Sequence, residues 1–351
     1  MTILYRALLV MMVLTSFTFG QSPTNLPDIS LIGNFHATRT DGDTDFAVKE
    51  LELAFQQYLY PGVRADVFLA IEKEEDGSRT VDLEEAYVTF SSIFDVVLPN
   101  APMKPAMGVM VGKKLLTFGK QNAMHAEQRA FVDRPLAHQT FFGADHGLSG
   151  EGGQVAYLLP LPFFSQLEAG YWTSESHIEE GHVEAHGPEF ENTLLLGRFW
   201  NSIKVKETEL EVGASYLLGD ANGDDTSAQP SIWGLDLTYT RDLSPSKQFT
   251  LQAEYLKAEY GDDGDAKEEQ DGYFVSGVFK FHPLYSVGLR YDVLGQHGDE
   301  GQDENQIVYQ VTRQLTETSK FRVQYQKPEH SESVVTAQFI FGMGPHAHVL
   351  Q

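Results

Sequence analysis

From Val63 to Glu72 the side chains alternate strictly: Val63, Ala65, Val67, Leu69 and Ile71 are interleaved with Arg64, Asp66, Phe68, Ala70 and Glu72. A period of two belongs to an extended strand with one apolar face and one mostly polar face. The pattern returns near the other end of the chain. Trp233, Leu235, Leu237 and Tyr239 form one apolar set. Tyr273, Val275, Phe279 and Phe281 form another, followed by Phe321, Val323 and Tyr325, and by Val335, Ala337, Phe339 and Phe341. The interleaved positions include Asp236, Lys280, Arg290, Asp292, Arg322, Gln324 and Gln338. A closed apolar core does not accept that many charges. One face of these strands must meet an apolar medium and the other water.

Read in order, the chain offers sixteen such segments, beginning with Asp28 to Arg39 and ending with Glu332 to Met343. Links after odd-numbered segments are polar, Gly-rich and acidic, among them Asp41 to Asp45, Ser174 to Phe190, Gly219 to Gln229, Gly261 to Gln270 and Gly295 to Asn305. Links after even-numbered segments are mostly brief, such as Tyr60-Pro61-Gly62 and His282-Pro283-Leu284. Long loops at one end and short turns at the other describe an all-β fold, a closed antiparallel transmembrane β-barrel of about 16 strands. Closure leaves no strand edge unpaired in lipid. A soluble double sheet would share the alternation; the even count and the loop asymmetry favour the barrel.

Residues 1–20 place Arg6 before an apolar run and end on small or polar positions, the layout of a secretory signal peptide. The expectation is a mature barrel over residues 21–351 in the bacterial outer membrane. No stretch of eighteen apolar residues supplies a spanning helix, and the chain has no cysteine, so no disulfide contributes. A net charge of −25 argues against nucleic acid as a partner. It suits an exported surface in contact with lipid, lipopolysaccharide and the divalent ions around them.

One link stands apart. Residues 120–150 lack a clear period and combine both charge signs with aromatic side chains, and long ordered loops of this kind are commonly functional. Folded into the lumen, this insert would form a pore constriction from Lys113, Lys120, Arg129, Asp133, Arg134, His138 and Asp145. Charges of both signs there would sort solutes by charge and dipole. The aromatic residues Phe131, Phe141 and Phe142 favour packing against a wall over projection into solvent. The expected pore wall comprises Arg64, Asp66, Asp236, Lys280, Arg290, Asp292 and Arg322. A second link, residues 174–190, interleaves His177, His182 and His186 with glutamates. Imidazole and carboxylate suit a divalent metal of the zinc type, although the spacing matches no standard ligand motif. No resident cofactor is expected otherwise. His146 near Ser149 and Glu151 is the nearest approach to a catalytic set, without a nucleophile elbow, so an enzyme is not expected.

The stretch LLTFGKQNAMHAEQRAFVDRPLAHQTFFGADHGLSGEGGQVAYLLP, with Pro27 to Phe35 and Phe341 to His348, resembles a family of Gram-negative outer-membrane proteins related to phosphate-selective and general porins. Some members of that family carry the description of zinc-regulated outer-membrane receptors. The resemblance implies a porin-like barrel. The extension past Phe341 departs from the usual terminal aromatic. An energised receptor needs about twenty-two strands and a plug, for which this chain has no room. The reading is therefore a channel for passive or weakly selective diffusion of small hydrophilic solutes or ions, with a homo-oligomer allowed. The alternative is divalent-metal uptake or binding through the His-rich loop.

Overall fold

The computed structural model describes residues 26–73, 78–143, 147–173, 187–188, 190, 193–220, 229–261, 268–295 and 303–345. The leader and the histidines of the 174–190 link lie outside the described residues. Sixteen strands follow one another: β1 (Asp28–Thr40), β2 (Asp43–Tyr60), β3 (Val63–Lys73), β4 (Arg79–Phe90), β5 (Met107–Leu115), β6 (Ser149–Leu158), β7 (Phe164–Thr173) and β8 (Thr193–Val205), then β9 (Thr208–Gly219), β10 (Ser231–Ser244), β11 (Lys247–Tyr260), β12 (Glu268–His282), β13 (Tyr285–Leu294), β14 (Glu304–Thr316), β15 (Ser319–Pro328) and β16 (Val334–Met343). Among the described residues two short helices interrupt them, α1 (Ile93–Val97) before β5 and α2 (Leu136–Phe142) before β6. Each strand pairs antiparallel with the next, and β16 returns to β1. The seam aligns Phe35 with Phe339 and Gly33 with Phe341. The Phe35 and Phe341 rings stack at 5.7 Å across it.

Alternation sorts the wall as the sequence implies. Leu235, Val275, Leu289, Val311 and Val323 are exposed on the outside. Near the long-link end an outward girdle runs through Tyr171, Tyr216, Trp233, Tyr273, Tyr291, Tyr309 and Tyr325. Near the short-turn end Phe281, Phe321 and Phe339 form its counterpart. An apolar band between two aromatic girdles is what a lipid bilayer selects. Among the described residues no helix is long and apolar enough to cross a membrane; the strands cross. Inside, Asp66, Asp236, Glu254, Arg290, Asp292, Arg322 and Gln324 are buried.

Three local departures have physical reasons. The link read at Asp41 to Asp45 is a two-residue turn, with Asp41 at φ 48° and Gly42 at φ 90°. Asp-Gly readily takes this left-handed pair, which matches the strand twist. Strand β5 ends at Leu115 and not at Gly119, so the insert runs from Leu116 to Leu148. Between β3 and β4, Phe68 pairs with Glu85 and Leu69 with Leu83, which leaves Glu84 as a bulge. The bulge switches the alternation. Val81 and Leu83 are exposed on the outside before it, and Glu84 and Glu85 both turn toward the lumen.

At Gly112, where φ is +137°, an added Cβ would stand 2.1 Å from the Ala86 carbonyl oxygen and 2.6 Å from the Tyr87 Cα. Both obstacles are backbone and cannot step aside. Gly112→Val is expected to destabilise the barrel by about 3 kcal/mol or more. The check is the temperature at which the folded barrel loses its compact electrophoretic mobility.

Candidate constriction inside the barrel

The insert leaves the wall through a closed neck. Leu116 N–H donates to the Leu148 carbonyl at 2.9 Å, so its two ends are already side by side. Asn122, fully buried, locks them. Its amide donates to the carbonyls of Leu116 at 2.7 Å and Leu148 at 2.9 Å, and its Oδ1 accepts from Leu148 N–H at 2.8 Å. Arg134 then holds the first turn by donating to the carbonyls of Gln121 at 2.6 Å and Asn122 and Met124 at 3.2 Å. A buried backbone without regular structure needs such donors and acceptors for every polar group.

From the neck the insert makes a circuit of the lumen. Thr117 donates to Glu168 on β7 at 2.8 Å. The Gly119 carbonyl accepts from Arg198 on β8. Lys120 meets Glu211 on β9 at 2.5 Å. On β11, Glu254 accepts from Lys120 N–H at 2.9 Å and Gln121 N–H at 3.1 Å, and its other oxygen meets His138 Nε2 at 3.0 Å. The chain then crosses to His125, which sits among Glu52 on β2 and Glu84 and Glu85 on β4. Burial works against a charge on His125. The Glu84 carboxylate, with contacts to Glu52 and Glu85, outweighs it and holds the imidazole well above its ordinary range.

The far side is fixed by basic residues of the wall. Arg322 on β15 donates to the carbonyls of Arg129 at 2.6 Å, Ala126 at 3.1 Å and Phe131 at 3.3 Å. Lys320 donates to the Glu127 carbonyl, and Gln310 on β14 to that of Ala130. Asp133 is the hub here. It pairs with Arg290 on β13 at 2.8 Å and accepts from Gln324 at 2.5 Å and Gln326 at 2.7 Å. Arg290 also binds Asp292 at 2.8 Å, and its guanidinium stacks 5.0 Å from the Phe131 ring.

Packing adds a second attachment. Helix α2 brings Phe141 and Phe142 onto an apolar patch of the lumen wall made by Trp172, Leu194, Leu217, Leu256 and Leu294. Phe118 closes on Phe142 at 5.1 Å. The inward faces of β7 to β13 near the long-link end are therefore apolar, where alternation alone assigns water. They are dry because the insert covers them.

Of the seven constriction residues, the structure brings Lys120, Arg129, Asp133, Arg134 and His138 into the lumen within the insert. Lys113 falls on the β5 set that carries the exposed Val111, and its neighbour Lys114 takes the inner place, 4.1 Å over the Tyr87 ring. Asp145, like His177, His182 and His186, lies outside the described residues. Of the wall residues, Arg64 and Asp66 pair at 2.9 Å, Asp236 pairs with Arg198 at 3.1 Å, and Lys280 is exposed at the short-turn end of β12. Glu254, Arg198, Lys320 and the Glu52, Glu84 and Glu85 group escaped the sequence reading. Only the adjacent pair Glu84-Glu85 carried a signal, since one of two neighbours in a regular strand would face lipid.

A sixteen-stranded antiparallel barrel with a long link folded inside after the fifth strand defines an outer-membrane barrel of the porin fold. Solved structures agree. The anion-selective porin of Comamonas acidovorans matches with a TM-score of 0.59 at 12% identity, over 90% of this chain and 98% of that one. OmpT of Vibrio cholerae matches with 0.58 at 11% identity, over 92% and 99%. OmpF of Salmonella typhi, in complex with daunomycin, matches with 0.56 at 10% identity, over 91% and 98%. At these identities the likeness is one of fold, and it lends no support to the receptor description. No protein-family model matches the chain. In sequence it is 26% identical over 321 residues to an uncharacterised protein of Aquifex aeolicus (strain VF5), covering 78% of this chain and 65% of that protein's length.

Proposed function

We propose that the protein is a passive channel for small hydrophilic solutes or ions across the outer membrane, and that the 116–148 insert sets its size and charge limits. The observation that carries this reading is the insert itself. It is anchored to β2, β4, β8, β11, β13 and β15 by side chains whose only exposure, in a lipid-embedded barrel, is to the lumen. The side chains that hold it carry charges of both signs. Glu52, Glu84 and Glu85 stand on β2 and β4, and Lys320 and Arg322 on β15. Opposed charges around a narrow passage create a transverse field that favours small polar solutes over apolar ones of the same size.

The porin fold favours a channel over an enzyme. One form of Vibrio cholerae OmpT is described as a trimer, and we extend a homo-oligomeric state to this chain by that likeness, with lipid and lipopolysaccharide as its surroundings. The metal-uptake alternative rests on His177, His182 and His186, which lie outside the described residues.

The test is swelling of liposomes that carry the refolded protein, in neutral sugars of graded size. Monosaccharides are expected to enter and larger oligosaccharides to be excluded. Equal rates for all sizes would remove the insert as a size limit.

A further inference from the structure

We propose that Glu52, Glu84 and His125 bind one divalent transition-metal ion of the zinc type, which ties the insert to β2 and β4. The three side chains can each direct one ligand atom to a common point, these atoms lying within 4.8 Å of one another. His125 Nδ1 stands 3.2 Å from Glu52 Oε2 and 3.3 Å from Glu84 Oε1. In a tetrahedral zinc site with bonds of about 2.0–2.1 Å, neighbouring ligand atoms are about 3.3–3.4 Å apart. The two spacings from His125 Nδ1 match that value.

Three further observations point to a cation there. First, Glu52 is 1% exposed, and the polar group beside its carboxylate is His125 Nδ1 at 3.2 Å. An ionised carboxylate so deeply placed requires a counter-charge. Second, Glu85 Oε2 lies 3.3 Å from His125 Nε2, and Glu85 Oε1 accepts from Leu115 N–H at 2.8 Å. A carboxylate that orients one ring nitrogen so that the other faces a metal is the usual support of a histidine ligand. With Nε2–H directed at Glu85, Nδ1 faces two carboxylates, so the position between them calls for a positive charge, a proton or a metal ion. A proton on the ring offsets one of three carboxylate charges, whereas a dication offsets two. Third, the bulge at Glu84 is what turns two consecutive glutamates to the same side, and bulges commonly re-aim side chains at functional sites. Phe68, fully buried, packs its ring 5.6 Å from that of His125 and fixes its plane. The inference does not depend on which solute crosses the barrel.

The experiment titrates zinc, and separately cobalt(II), into the full chain, refolded in detergent and stripped with chelator. Three variants accompany it: Glu52→Gln with Glu84→Gln, Glu85→Gln, and a His177→Ala, His182→Ala, His186→Ala triple that removes the loop histidines. The wild type and the triple are expected to take up one zinc each with equal affinity. The Glu52/Glu84 variant should lose stoichiometric binding, and Glu85→Gln should weaken it about 10–100-fold. Cobalt should give the visible bands of a tetrahedral nitrogen and oxygen site in the wild type and the loop triple, and not in the Glu52/Glu84 variant. Gln is isosteric and relieves repulsion, so folding is retained, and compact electrophoretic mobility checks it. As a second readout, chelator should lower the wild-type unfolding temperature and leave that of the Glu52/Glu84 variant unchanged. The proposal is overturned if the wild type takes up no stoichiometric zinc, if the Glu52/Glu84 variant binds like the wild type, or if the loop triple abolishes binding.

Discussion

Replacing residues 119–146 with a short Gly-Ser link is expected to raise single-channel conductance several-fold and to let larger sugars through, while the barrel still assembles. Assembly survives because the neck is already closed. Leu116 N–H reaches the Leu148 carbonyl at 2.9 Å, so a few residues bridge the gap without pulling β5 from β6. The ladders around the barrel, including the seam of β1 with β16, contain no atom of the deleted segment. The lumen charges freed by the deletion, Glu254, Arg290 and Arg322, become solvated and lose only their partners. The cost falls on the apolar patch of Trp172, Leu194, Leu217 and Leu256, which would then meet water. At roughly 25 cal/mol per Å² of apolar surface, a modest drop in unfolding temperature is expected and can be read in the same preparation. Unchanged conductance would show that the insert does not narrow the pore.

Arg290→Leu is expected to release the far half of the insert. Arg290 pairs with Asp133 and Asp292 and also donates to the carbonyls of Asp133 at 3.0 Å and Arg134 at 3.3 Å. Removing one member of a buried ion pair strands the others, at a cost of about 3–5 kcal/mol. Asp292, with a side chain 0% exposed, suffers most. Docking of residues 129–134 is thereby weakened, and the expected result is a noisier channel with a higher mean conductance. A double-mutant cycle with Asp133→Asn separates this pair from the rest of the network, and a coupling energy of about 1.5–3 kcal/mol is expected. Additive effects would mean that Asp133 and Arg290 act independently.

The wall of the barrel was legible in the sequence because lipid imposes a rule on every second residue. Leu235 and Val275 face outward and Asp236 inward for the same reason, and no tertiary contact is needed to decide it. The insert obeys no such period. Its aromatic residues Phe131, Phe141 and Phe142 announced a wall contact, but the partners could not be read. Glu254 and Arg198 look like any other inward residue until the chain folds back on them. Where the insert covers the wall the alternation inverts its meaning, and Leu194 and Leu217 face inward against it. The bulge at Glu84 is a further case, since a single extra residue exchanges the two faces of β4. The turn at Asp41-Gly42 carries the Asp-Gly signature of a two-residue hairpin, although its acidic surroundings resemble those of the longer links.

The most direct test of a constricted diffusion channel is single-channel recording of the refolded wild-type chain in a planar bilayer under a salt gradient. Stable ohmic steps are expected, smaller than those of the insert deletion, with a reversal potential that shifts when Arg129 is neutralised. A barrel that is folded by its compact electrophoretic mobility yet passes no current would contradict the account.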